Sequence, residues 1–225
     1  MVPQWFTVLS WVGLVAGITS AAWLGFRAMS NPPKMKVMAF VWPLCGLFGG
    51  ILTVWFFERW SDADDAPFPI SVAKGTLHCG AGCSLADLIA ETAAFVFPSI
   101  LIAFGLGWLF SEHIFAAWVM DYVMALAIGI VFQFFAIAPM RGLGFREGMR
   151  QAAKADMLSL TSWQIGMYGL MALAHFWLFL DIFGVRVEAN RPEFWFAMQA
   201  AMLTGFCTAY PVNWWLIRAG IKEAM

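Results

Sequence analysis

The sequence predicts an all-α fold, a polytopic bundle of about six transmembrane helices, and three observations lead there. Hydrophobic residues make up 62% of the 225-residue chain and charged ones only 12%, about half of the roughly one quarter that a soluble domain carries. Thirteen Trp and twenty-two Phe add apolar surface that a soluble fold of this size has too little interior to hide. The apolar residues also run together in stretches long enough to cross a bilayer. Lipid is the expected solvent. The net charge of -1 argues against a nucleic-acid partner, which needs a basic face.

Trp5 to Phe26 and Val37 to Phe57 contain no charged residue, and each is longer than the roughly twenty residues a bilayer core requires. The first lacks a basic segment ahead of it, so it reads as a retained span rather than a cleaved signal. A third helix is expected from about Leu85 through Phe110. Ile114 to Met140 gives a fourth span interrupted by Asp121, Ile165 to Val185 a fifth, and Phe194 to Leu216 a sixth. Trp5, Trp60, Trp163, Trp195, Trp214 and Trp215 fall towards the ends of these runs, the pattern of an interfacial belt.

No repeat, low-complexity run or appended soluble domain is evident, so residues 1–225 form a single transmembrane domain. The linker after the first helix carries Arg27, Lys34 and Lys36, and the linker from Arg141 to Gln164 carries Arg141, Arg146, Arg150 and Lys154. With six spans these two basic linkers fall on opposite sides, so the positive-inside rule does not select an orientation. The connection from Glu58 to Ser84 holds the acidic run Asp62-Ala63-Asp64-Asp65. The Arg141–Gln164 linker has Met149, Ala153, Met157 and Leu160 at helical spacing; it reads as a basic amphipathic helix, either in the membrane interface or a solvated connector.

The densest chemistry lies in His78-Cys79-Gly80-Ala81-Gly82-Cys83-Ser84-Leu85-Ala86-Asp87. Two glycines in three residues predict a turn over 78–83, and Ser84 with Asp87 resembles a capping box starting the third helix. The thiols and the imidazole would then stand at a helix N-terminus, where thiolate is favoured. Thiolates suit soft metals, Cu(I) first and zinc second. Cys79, Cys83 and His78 are the candidate primary ligands. Met167, Met171 and His175 recur every four residues in the fifth span and form a candidate second site, with Met120 and Met124 an alternative. Asp87, Glu91 and Asp121 are acids at membrane depth and hence candidates for charge balance or a proton relay. Pro98 and Pro211 would kink their helices and free carbonyls, one of which Asn213 could satisfy. Taken singly, a Met is more often packing than a ligand and His175 more often a helix–helix contact, while a structural disulfide is the alternative for the two Cys.

The His78-Cys79-x-x-x-Cys83 segment with Asp87 and Glu91 resembles the signature of an uncharacterised bacterial integral-membrane family, a domain of unknown function. Gln133-Phe134-Phe135-Ala136-Ile137-Ala138-Pro139-Met140, Lys154-Ala155-Asp156-Met157-Leu158-Ser159-Leu160-Thr161 and Tyr210-Pro211-Val212-Asn213-Trp214-Trp215 fit it as well. The resemblance covers residues 35–225 and leaves the first helix and its linker, 1–34, outside. It implies a multi-pass protein of a bacterial inner membrane and supplies no catalytic residue. The residues themselves lead to a membrane protein that binds copper, or less readily zinc, for metal handling or transport, with a metallochaperone or other membrane subunits as partners. A thiol–disulfide protein coupled to a membrane quinone and a structural subunit of a membrane complex are the alternatives.

Overall fold

Hydrocarbon offers no partner for backbone N–H and C=O groups, so a spanning segment must satisfy them internally. The chain does this with helices. The computed structural model describes residues 1–33, 35–61 and 66–223, with the side chains of 136–141 set aside. Lys34 and the acidic run Asp62–Asp65 lie outside the described residues, as do the side chains of Pro139, Met140 and Arg141. Six long helices follow in order: α1 Gln4–Ser30, α2 Met38–Trp60, α3 Phe68–Val96, α4 His113–Arg141, α5 Phe145–Ala172 and α6 Pro192–Arg218. Five helical segments are long and apolar enough to cross a membrane: α1, α2, α3, residues His113–Phe135 of α4, and α5 with its extension to Ile182. The sixth expected span lies within α6. That helix is as long as α1, 27 residues, but more polar, and it packs on α1, α2, α3 and α5.

The first two expected spans match α1 and α2, and the fourth matches α4. The third does not. No turn forms over 78–83: α3 starts at Phe68, behind Pro67, and runs straight through both glycines. The Ser84–Asp87 pair therefore caps nothing, and the cysteines sit at no helix N-terminus. Glycine disfavours helix in water, but between membrane helices small residues admit close neighbours. A Cβ at Gly80 would lie 2.7 Å from two ring carbons of Trp163, and one at Gly82 would lie 3.4 Å from the Gly129 Cα of α4. Both glycines are packing notches. Trp163 itself is fully buried, a core residue rather than part of an interfacial belt.

Nor does α3 continue to Phe110. Phe97 leaves helical geometry (φ -127°, ψ 68°), as a residue before proline tends to, and Pro98–Phe104 form a 3₁₀ turn. The fifth span is longer than expected. α5 absorbs the amphipathic linker and passes without interruption into a π-helical stretch, Leu173–Ile182. Its buried face is Ala152, Ala155, Asp156, Ser159, Leu160 and Trp163, while Arg146, Arg150, Lys154 and Met157 are exposed. In α6, Pro211 sits inside the helix and the Asn213 amide bonds the Ala209 carbonyl at 3.0 Å. Cys45 is buried, whereas Cys207 faces outward.

α3 is the axis of the bundle. It packs on α2, α4, α5 and α6, and its residues from Val72 to Glu91 are almost all buried.

Candidate functional site

An α-helix returns to nearly the same face every four residues, and on α3 that face is polar. Gly75, Cys79, Cys83, Asp87 and Glu91 follow at this interval and all are buried. The stripe runs about 24 Å at 1.5 Å per residue, against a hydrocarbon thickness of roughly 30 Å.

Its centre is a pair of acids. The carboxyl of Asp87 stands within hydrogen-bonding reach of Asp121, which α4 brings from the facing side. Asp121 Oδ2 accepts from the Tyr168 hydroxyl at 2.7 Å and from Gln164 Nε2 at 3.1 Å, both on α5. Tyr168 is held flat against Trp118, with ring centroids 4.8 Å apart. Asp87 Oδ2 and Asp121 Oδ1 find no hydrogen-bond partner among the described residues. Two carboxyl groups bond to each other only when one carries a proton. The described ion pairs, Arg27–Glu58, Arg150–Glu147 and Arg186–Glu112, all lie elsewhere.

One turn from this pair, Cys83 contacts Cys79, and both thiols are free and buried. Cys79 in turn faces Asp156 of α5. At the end of the stripe the C-terminal tail inserts Lys222, 98% buried, with its Nζ 3.3 Å from Ser159 Oγ and 3.5 Å from the Gly75 carbonyl. Ser159 bonds Asn213 of α6 at 2.8 Å.

The other sequence-derived candidates are scattered. His78 is buried beside Phe132, and as Cys79's neighbour in sequence it points about 100° away around the helix. Met167 and Met171 lie in the apolar core. Beyond them the π-helical stretch changes the register, and His175 emerges half-buried at a cavity. Met120 packs among Ala90, Ala94 and Leu101. Among the described residues no three of His, Cys, Asp and Glu form a group able to hold a metal ion.

Two cavities flank the acids. The first, about 280 Å³, is lined by Glu91, His113, His175, Arg186 and Glu188 near the C-terminal end of α3. The second, about 240 Å³, lies among α1, α2, α3 and α6 and is lined by Ser84, Asp87 and otherwise mostly apolar side chains. Beside it α2 is broken. Gly50 has φ 52° and ψ -133°, outside helical geometry. The carbonyls of Cys45 and Leu47 just before it accept from Thr53 Oγ1 at 3.1 Å and Gln199 Nε2 at 2.6 Å. Irregular backbone at membrane depth is tolerated where protein or a cavity surrounds it.

The sequence reading named the acids and the thiols of α3 but gave no role to Asp156, Gln164, Tyr168, Lys222 or the α2 break. For the break a signal was present, Gly49-Gly50 in the middle of a span. Asp156 stood in one of the stretches that carry the family resemblance; for Gln164, Tyr168 and Lys222 there was no signal, because which helices face α3 is not encoded in spacing.

A family model described as Domain of unknown function (DUF4396) matches residues 70–222, from the start of α3 to the buried Lys222. No curated protein and no solved structure matches the chain.

Proposed function

The chain belongs to the DUF4396 family, and we propose that this multi-pass membrane protein moves protons along the polar stripe of α3. The Asp87–Asp121 pair carries the reading: two carboxyls from different helices, buried, with oxygens left unpartnered. Burying acids at membrane depth is costly and commonly marks a proton or ion path. Glu91, lining the first cavity, loads the pair. Tyr168 and Gln164 hold Asp121 in place, so that a proton passes between fixed oxygens rather than mobile ones.

The experiment is proton flux in proteoliposomes under an imposed potential, with a pH-sensitive dye inside. The wild-type chain is expected to acidify or alkalinise the lumen faster than empty vesicles. Asp87→Asn and Asp121→Asn should each lower the rate about tenfold or more, since an amide can neither take up nor release the proton. Flux unchanged in both variants would sink the proposal.

A second reading keeps the soft metal. The contact between Cys79 and Cys83, with Asp156 alongside, supplies two thiols within one helical turn. A thiolate pair suits Cu(I), whereas zinc takes four ligands, which favours copper over zinc in this reading. Met167, Met171 and His175 add little to such a site, because they do not gather around one point. Elemental analysis of the reduced, anaerobic protein decides: near-stoichiometric copper lost in Cys79→Ser/Cys83→Ser supports this reading, and no copper after Cu(I) is supplied removes it.

A further inference from the structure

The cavity among α1, α2, α3 and α6 has the chemistry of a site, and its lining is one-sided. Asp87, 98% buried, contributes to its wall and has an unpartnered Oδ2. Ser84 and Gln199 are its other polar members, and among the described residues no Lys, Arg or His lines it. Gln199 spends its amide N–H groups on the carbonyls of Leu47 and Gly13, so its side-chain oxygen is the end left for a ligand. Trp195 likewise commits its indole N–H to the Ala189 carbonyl at 2.7 Å. It offers the cavity only its ring, as Phe48 does. The aligned carbonyls at the end of the first half of α2 put the negative end of a short helix dipole beside the same space. Discontinuous membrane helices are a recurring way to build cation sites at membrane depth, their C-terminal half-helix ends facing the positive charge. A carboxyl, a carbonyl-rich helix break and two aromatic rings in the lining favour a positive charge; the remaining apolar wall favours a hydrocarbon body.

We infer that this cavity is a binding site, reached from the lipid side past the exposed Ile18, for a small organic cation: an ammonium centre on an apolar group, with Asp87 as its counter-ion. An inorganic ion fits poorly, because most of the wall is hydrocarbon. A lipid acyl chain fits the wall but leaves the carboxyl unanswered. The inference rests on the reading of Asp87 as a functional acid, and it adds a ligand to it.

The test is equilibrium binding of radiolabelled benzyltrimethylammonium to the full-length protein in nanodiscs, with neopentylbenzene, its uncharged isostere, as competitor. Saturable binding is expected, with the isostere weaker by about tenfold or more. Asp87→Asn should weaken binding by a similar factor. Ile18→Trp, a lipid-facing change at the rim that leaves Asp87 untouched, should also reduce it, which keeps the test decisive if the Asp87 variant fails to fold. Absence of saturable binding overturns the inference. So does equal competition by the isostere, which would make the cavity an apolar slot only. Wild-type proton flux measured on the same preparation separates the two readings. Flux without cation binding overturns this inference alone, and neither signal overturns both. Binding without flux upholds the cation site and removes the proton path.

Discussion

Two glycine pairs, each inside an apolar helix, end in opposite structures. In α3, Gly80 and Gly82 keep the helix intact, and neighbours fill the missing side chains: the Trp163 ring lies on one and Gly129 on the other. In α2 the helix breaks at Gly50, where no atom of the described residues lies within 4 Å of the position a Cβ would take, while Gly49 before it is closed by the Thr53 side chain. In the membrane there is no hydrophobic drive between helices, and close packing takes its place. Gly80 and Gly82, which meet partners on neighbouring helices, are therefore held in the helix. A glycine that meets empty space can turn to positive φ, which other residues avoid. The difference organises the site as well. The unbroken helix carries the stripe of acids and thiols, while the broken one opens a cavity beside it.

That contrast can be broken by substitution, the larger effect coming from the filled pair. Gly80→Ala should destabilise the protein by about 1–3 kcal/mol, the cost of overpacking a filled core position, seen as a lower melting temperature in detergent. Adding Trp163→Phe should recover part of the loss, so that the double variant is less damaged than the two single changes summed. Strictly additive losses would mean that the ring does not occupy the notch. Gly50→Ala meets no neighbour among the described residues and should cost no more than that, about 1–3 kcal/mol, through a backbone conformation that other residues avoid. A neutral or stabilising result would mean that α2 is continuous there, and the comparison would collapse.

Much of the fold was legible in the sequence, because span length and composition are set by bilayer thickness: α1, α2 and α4 follow from uncharged or nearly uncharged runs. The start of α3 was not. Gly80 and Gly82 read as a turn by rules learned in water, and the residue that reverses the reading, Trp163, lies more than eighty positions away. The end of α3 was readable at Pro98, where the missing N–H and the strained preceding residue stop a helix. Of the candidate site, the Cys83–Asp87–Glu91 stripe was visible from its four-residue spacing, and Asp121 from its solitary charge in a span. Their meeting was not, since Asp87 and Asp121 join only through the packing of α3 on α4. Lys222 was invisible for the same reason: nothing local distinguishes a tail lysine that folds back to Gly75 and Ser159 from one that stays in water.

The central claim is that Asp87 and Asp121 hold a proton between them. Infrared spectroscopy of the lipid-reconstituted protein at neutral pH tests it most directly, by recording the carbonyl stretch of protonated carboxylic acid in the wild type and in each single variant. The account predicts a protonated-carboxyl band, shifted by hydrogen bonding, that disappears in Asp87→Asn and in Asp121→Asn alike. A wild-type spectrum with no such band, or one that both variants leave unchanged, would contradict it.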